Sequence, residues 1–186
     1  MDWFPVLEIG ILNGWLHFGF YLVVFIITLS TCPKEVKKRL FDRSLWNRNT
    51  KIITVIGKSF SFLNIFMIIF GKLAIGTTEF MIGTILYLCG LTLLVVGIIN
   101  FRSAPLNEPI LNGLYKISRN PQMIALYLMF LGMILAIGSG ISLVFLTISI
   151  LCSHFSILGE ENSLKQQYGE SYIDFTKKVP RYFLFV

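Results

Sequence analysis

Four apolar runs constrain this chain more than anything else in it. They cover about residues 10–31, 52–71, 80–99 and 122–158. A helix needs about 20 mostly apolar residues to cross the hydrocarbon of a bilayer, and the first three runs have that length. The fourth is too long for one crossing. Gly138-Ser139-Gly140 interrupts it with a turn signal and divides it into arms 122–137 and 141–158. At 1.5 Å per residue, arms of 16 and 18 residues extend about 24 and 27 Å, enough for a tight helical hairpin that just reaches the far interface. The expected fold is therefore all-α, an integral membrane helical bundle of about five transmembrane helices. Composition agrees. Hydrophobic residues make up 55% of the 186 and charged residues 14%, against about 25% charged in an ordinary soluble domain. A soluble globule and a disordered chain are excluded. Cys32, Cys89 and Cys152 stand far apart with no CxxC pairing, which excludes a disulfide scaffold.

The charges set an orientation. Of the 16 Lys and Arg residues, seven lie in 32–51, three in 100–121 and four after residue 158, all on one side if five helices alternate. The opposite side holds Lys72, Glu79, and an amino terminus with Asp2 and Glu8. The positive-inside bias places the amino terminus outside and the carboxyl terminus in the cytosol, and the 32–51 cluster reads as a topology determinant. Because these charges flank apolar runs, the net +6 does not form a basic face and nucleic acid is not an expected partner. No cleavable signal peptide is expected, since Asp2 and Glu8 occupy the place of a basic leader. One domain is expected over 1–186, with helices of unassigned role in 1–79 and the functional core in 80–186. A prokaryotic cytoplasmic membrane is preferred to the endoplasmic reticulum.

Within the spans, Gly83, Gly90 and Gly97 recur every seven residues and predict a small-residue packing seam. Asn13 and His17, one turn apart on the first helix, are expected to face inward as a hydrogen-bonded pair and not as a metal site, since no ligand cluster accompanies them.

The remaining polar residues gather in 100–121 and 159–181. The first segment contains three prolines and a glycine and cannot be one long helix. In the second, Leu164, Tyr168, Tyr172, Phe175 and Val179 share one face of a helix expected to lie along the cytosolic membrane surface. The hairpin starts just after Arg119-Asn120-Pro121 and ends just before Glu160-Glu161. Its nearly equal arms thus bring a cation and two carboxylates to one interface. A structural ion pair, with Glu160 and Glu161 at the start of the terminal helix, and a ligand site are both open at this point.

The arrangement Gly113-x-Tyr115-x-x-x-Arg119-Asn120-Pro121, then Glu160-Glu161-x-x-Leu164, then Tyr168-Gly169-x-x-Tyr172-x-x-Phe175-x-x-x-Val179-Pro180-Arg181 resembles a known signature. It is that of the membrane methyltransferases of the isoprenylcysteine carboxyl methyltransferase and phospholipid methyltransferase superfamily. Motif order and spacing are kept from about residue 80 to 182. The resemblance implies S-adenosyl-L-methionine as cofactor, bound at the cytosolic interface, and methyl transfer to a lipophilic or membrane-associated acceptor: an isoprenylcysteine-like carboxylate, a phospholipid amine or another small lipid. Carried over onto this sequence, it implies cofactor contacts from Tyr115, Asn120, Pro121, Met123 and Glu160. Arg119 suits the cofactor carboxylate as a planar fork of donors. Gln122 belongs to the adenosine-side turn, Asn107, Pro109 and Ile110 lie on the approach to it, and Glu161 either holds this shell together or caps the terminal helix. No residue is assigned as catalytic; Arg119 and Glu160 support an alignment of donor and acceptor. The partners implied are membrane lipids and the acceptor, with no metal.

Three positions depart from the family pattern. Asn120 replaces a histidine, Met123 a tyrosine, and Ser156 an arginine associated with prenylated substrates, which argues against a prenylcysteine acceptor. Two other readings remain: an NADPH-dependent enzyme like the sterol and steroid reductases, and a non-enzymatic scaffold or transporter.

Overall fold

A computed structural model describes residues 1–105 and 108–183. Among them are seven α-helices: α1 (Trp15–Ser30), α2 (Lys34–Phe41), α3 (Arg48–Phe70), α4 (Thr78–Arg102), α5 (Pro121–Ile137), α6 (Gly140–Tyr168) and α7 (Glu170–Lys178), with a 3-10 turn at Gly113–Lys116. α3, α4 and α6 are long and apolar enough to cross a membrane; α1 and α5 are shorter apolar helices of 16 and 17 residues. Their outer faces carry exposed Val55, Phe62, Met81, Ile85 and Leu151, the pattern of helices solvated by lipid tails.

Local chemistry sets the ends. The Asn47, Thr77 and Ser139 side chains accept from Thr50, Phe80 and Ser142 N–H groups at the starts of α3, α4 and α6. Pro121 occupies the first turn of α5, where no N–H is needed. The expected turn falls at Gly138, whose φ of +64° closes α5.

The two arms of the hairpin pack mainly against earlier helices, α5 on α4 and α6 on α3. Gly83, Gly90 and Gly97 form the first seam as the seven-residue spacing predicts. A Cβ on Gly83 would sit 2.6 Å from the Gly132 carbonyl oxygen, and one on Gly90 2.5 Å from the Met129 nitrogen. The second seam is polar. Ser61 and Ser149 hydroxyls lie 2.6 Å apart, and those of Thr54 and Ser156 lie 2.7 Å apart, around Gly57 and Gly159, whose Cβ positions are blocked by Cys152 and Thr50.

Three expectations change. The first helix starts at Trp15, not near residue 10. Residues 1–14 instead lie across one end of the bundle, with backbone bonds from Asp2 to Gly138, Glu8 to Phe70 and Gly14 to Gly71. Asn13 and His17 are not a pair: Asn13 precedes the helix and its amide donates to the Glu8 and Phe70 carbonyls, while the His17 ring packs edge-on against Tyr87. Nor does a new helix begin at Gly159. That glycine is small because Thr50 presses on it, so α6 runs on for another ten residues, about 15 Å beyond its apolar arm. It stops at Gly169, φ +57°. The terminal aromatic face is consequently shared between the end of α6 and the short α7. An amphipathic helix, α2, stands where only a basic connection was expected.

Candidate functional site

The site forms at the end of the bundle away from residues 1–14, beginning where α4 stops. Asn100, in its last turn, accepts the Leu114 N–H at 2.9 Å. Gly113 turns there with φ +53° and leaves no room for a Cβ against the Asn100 side chain. This is the physical reason for glycine two residues before Tyr115: the turn needs a left-handed residue that the asparagine can cover. Tyr115 is thereby pressed inward and buried.

The Arg119-Asn120-Pro121 turn is stitched to Val179-Pro180-Arg181. The Arg119 N–H donates to the Pro180 carbonyl at 3.0 Å. The Ser118 hydroxyl and the Asn120 amide both donate to the Arg181 carbonyl, at 3.1 and 3.3 Å. Two motifs 60 residues apart in the chain therefore form one structure.

Glu161, inside α6, holds the charges together. Its carboxylate accepts Arg181 Nη2 at 2.8 Å and Nε at 3.1 Å, and Arg119 Nε lies 3.5 Å from its Oε1. The Arg119 and Glu161 side chains are only 6% and 5% exposed. Glu161 lies inside α6, well before its end at Tyr168, and so caps no helix. Among the described residues the Arg119 side chain makes no hydrogen bond and Glu160 has no ion-pair partner. Gln122 Nε2 and Arg119 Nε are buried without a hydrogen-bonding partner among the described residues.

These groups line one cavity of about 550 Å³, in the size range of small-molecule and cofactor pockets. It gathers Pro109, Ile110, Tyr115, Arg119, Asn120, Gln122, Met123, Glu160 and Glu161 from the sequence expectation. Arg119 and Glu160, at opposite ends of the hairpin, thus share one site. Pro121 is buried in the first turn of α5 and does not line the cavity; Asn107 lies outside the described residues. The Ser156 hydroxyl faces Thr54 and also stands away from it.

Sequence reasoning missed two walls. One is α2 with the loop after it, including Lys38, Arg39, Arg43 and Trp46, so part of the 32–51 cluster lines the cavity. Arg39 donates to the carbonyls of Pro105 and Glu108, both at 2.6 Å, and its guanidinium lies 5.4 and 5.8 Å from the Phe101 and Tyr168 ring centres. Arg43 stacks on Trp46 at 4.6 Å. Aromatic residues set among the basic ones, such as Phe41 and Trp46, were the available signal. The other wall is the aromatic face of the terminal segment. Leu164, Tyr168, Tyr172 and Phe175 look into the cavity, with Tyr172 and Phe175 buried, instead of lying against a membrane surface. Burial raises the Tyr115 phenol above its ordinary range, with the nearby Glu160 charge adding to the effect. Burial does the same for Tyr172. Both therefore stay neutral at ordinary pH.

An arginine and an amide that make no side-chain hydrogen bond, a carboxylate with no ion-pair partner among the described residues, and several aromatic faces are chemically suited to a ligand that carries a carboxylate, a positive charge and a flat ring. No individually curated protein and no solved structure matches the chain. A family model described as phospholipid methyltransferase matches residues 66–171, from the end of α3 into α7 and across most of the cavity's segments. The chain belongs to the phospholipid methyltransferase family, within the membrane methyltransferase superfamily that its motifs resemble.

Proposed function

We propose that the protein transfers a methyl group from S-adenosyl-L-methionine to a lipid acceptor at the cytosolic membrane interface. One observation carries this reading. The three motif segments build a single cavity in which, among the described residues, the Arg119, Gln122 and Glu160 side chains make no hydrogen bond within the protein. Arg119 receives the donor's carboxylate. Glu160 accepts from its ammonium or ribose hydroxyls, and its charge favours a cationic donor. Tyr115 and the Asn120–Met123 turn hold the adenosine, with Pro109 and Ile110 at the approach.

The cofactor supplies an already activated methyl group. The chain's task is to align the acceptor and exclude water. The aromatic walls from Phe101, Tyr115, Tyr168 and Tyr172 shield the site, and neutral phenols add no competing charge. Leu126, on the apolar α5, reaches the cavity, so a lipid acceptor can keep its tail between helices and its head beside the donor. The basic segments around the cavity support a cytosolic position for it.

Lys38 and Arg43 at the rim also suit a phosphate, which supports the nicotinamide dinucleotide phosphate reading as the second choice. Titration calorimetry on the protein in detergent separates the two. S-adenosylhomocysteine should bind, and Glu160→Ala should weaken it about 10-fold or more, the loss of one charged hydrogen bond. Binding of NADPH without S-adenosylhomocysteine would overturn the methyltransferase reading. Labelled methyl donor with a membrane extract then identifies the acceptor.

A further inference from the structure

The donor site contains two arginines near one buried carboxylate, and they are not equivalent. Arg181 takes both oxygens of Glu161, at 2.8 and 3.1 Å. It does not line the cavity, and its side chain is 28% exposed. Arg119 lines the cavity and meets the same carboxylate only through Nε at 3.5 Å, outside hydrogen-bond geometry. Its backbone is pinned beside Arg181 by the bond to the Pro180 carbonyl.

We propose that Arg181 is a positioning residue: by occupying both oxygens of Glu161 it keeps the guanidinium fork of Arg119 open toward the ligand. The physical ground is competition. A buried carboxylate left without donors is costly, and the nearest remaining cation is drawn to it. Without Arg181, that cation is Arg119, already within 3.5 Å. A planar fork closes on a carboxylate through two parallel bonds. Once so engaged, Arg119 no longer offers the cavity a free pair of donors. Arg181 thus acts on the ligand through Glu161 and Arg119 and never touches it. Lysine is a poor substitute, because a single ammonium cannot hold both oxygens in the same plane.

The inference rests on the proposed donor reading, and the test separates their failures. Full-length protein in detergent is titrated with S-adenosylhomocysteine and with 5′-methylthioadenosine, the corresponding thioether without carboxylate or ammonium. If the unaltered protein binds neither, the donor reading falls and this inference with it. If it binds, Arg181→Ala should weaken S-adenosylhomocysteine about 10- to 100-fold, the range for lost charged hydrogen bonds, and change 5′-methylthioadenosine far less. Adding Glu161→Gln to Arg181→Ala removes the competing charge and should restore much of the affinity. Should Arg181→Ala fail to fold, Arg181→Lys should show the same selective loss in smaller measure. An equal loss for both ligands, no loss at all, or no recovery in the double variant would mean that Arg181 only docks the tail, and the proposal would be wrong.

Discussion

Gly113→Ala is the substitution that most directly probes how the cavity is built. Four glycines have positive φ: Gly76, Gly113, Gly138 and Gly169. A Cβ at Gly76 meets nothing within 4 Å, whereas one at Gly113 runs into the Asn100 amide. The two sites share the conformational penalty and differ in the collision. Alanine at Gly76 should cost about 1–2 kcal/mol, the penalty of a left-handed L-residue. At Gly113 the overlap adds about 1–3 kcal/mol, and disturbing the Asn100–Leu114 bond adds about 1 kcal/mol. The measurement is unfolding in detergent together with S-adenosylhomocysteine affinity. Gly113→Ala should lose both stability and affinity, because Tyr115 follows two residues later. Gly76→Ala should lose stability alone, since α4, 25 residues long, separates it from the cavity by about 37 Å. The companion change Asn100→Ala removes the colliding atoms, so the double variant should regain the collision part but not the conformational part. Equal damage at Gly76 and Gly113, or a double variant no better than Gly113→Ala, would refute this account of the turn.

Ser61→Ala and Ser149→Ala test the polar seam between α3 and α6. Each should cost about 1 kcal/mol, and the double variant should cost less than the sum because the hydroxyls pair with each other; strict additivity in unfolding experiments would exclude a direct bond. Because burial holds the Tyr115 and Tyr172 phenols above their ordinary 10.0, each contributes stability that is complete below about pH 10 and is lost as pH rises toward the higher folded-state value. Tyr115→Phe should therefore flatten the alkaline fall of the unfolding midpoint while leaving its neutral-pH behaviour unchanged. An alkaline slope identical to that of the unaltered protein would rule out Tyr115 as a contributor.

The apolar runs, the Gly138-Ser139-Gly140 turn and the Gly83-Gly90-Gly97 seam were legible because each depends on a short-range rule: length against bilayer thickness, φ at a turn, or size at one helical face. The pairing of Arg119 with the Glu160–Glu161 end followed from nearly equal arm lengths alone. Gly159 shows where such rules mislead. It looks like a helix boundary, yet its smallness answers to Thr50 on another helix. The same holds for Asn13 and His17, which are correctly spaced for a pair on a helix that does not yet exist at residue 13. Arg39 was illegible for a related reason. Its partners, the carbonyls of Pro105 and Glu108, lie 66 and 69 residues away, and backbone carbonyls leave no trace in composition.

Scarce charge in this chain is divided between two tasks, and the division explains the departure at Asn120. Glu161, Arg181 and Arg39 spend their hydrogen bonds inside the protein, on one another or on main-chain carbonyls, and so fix the walls. Arg119 and Glu160 line the cavity and, among the described residues, their side chains make no hydrogen bond within the protein. Asn120 belongs mainly with the first group: its backbone N–H donates to the Ser118 hydroxyl oxygen and its side-chain amide donates to the Arg181 carbonyl. That post needs a short side chain with one well-placed N–H donor, which a neutral histidine or an asparagine can supply. It asks for no proton to be carried. On the proposed positioning role of Arg181, this bond, by holding Arg181 beside Glu161, supports an open Arg119 fork with asparagine at position 120.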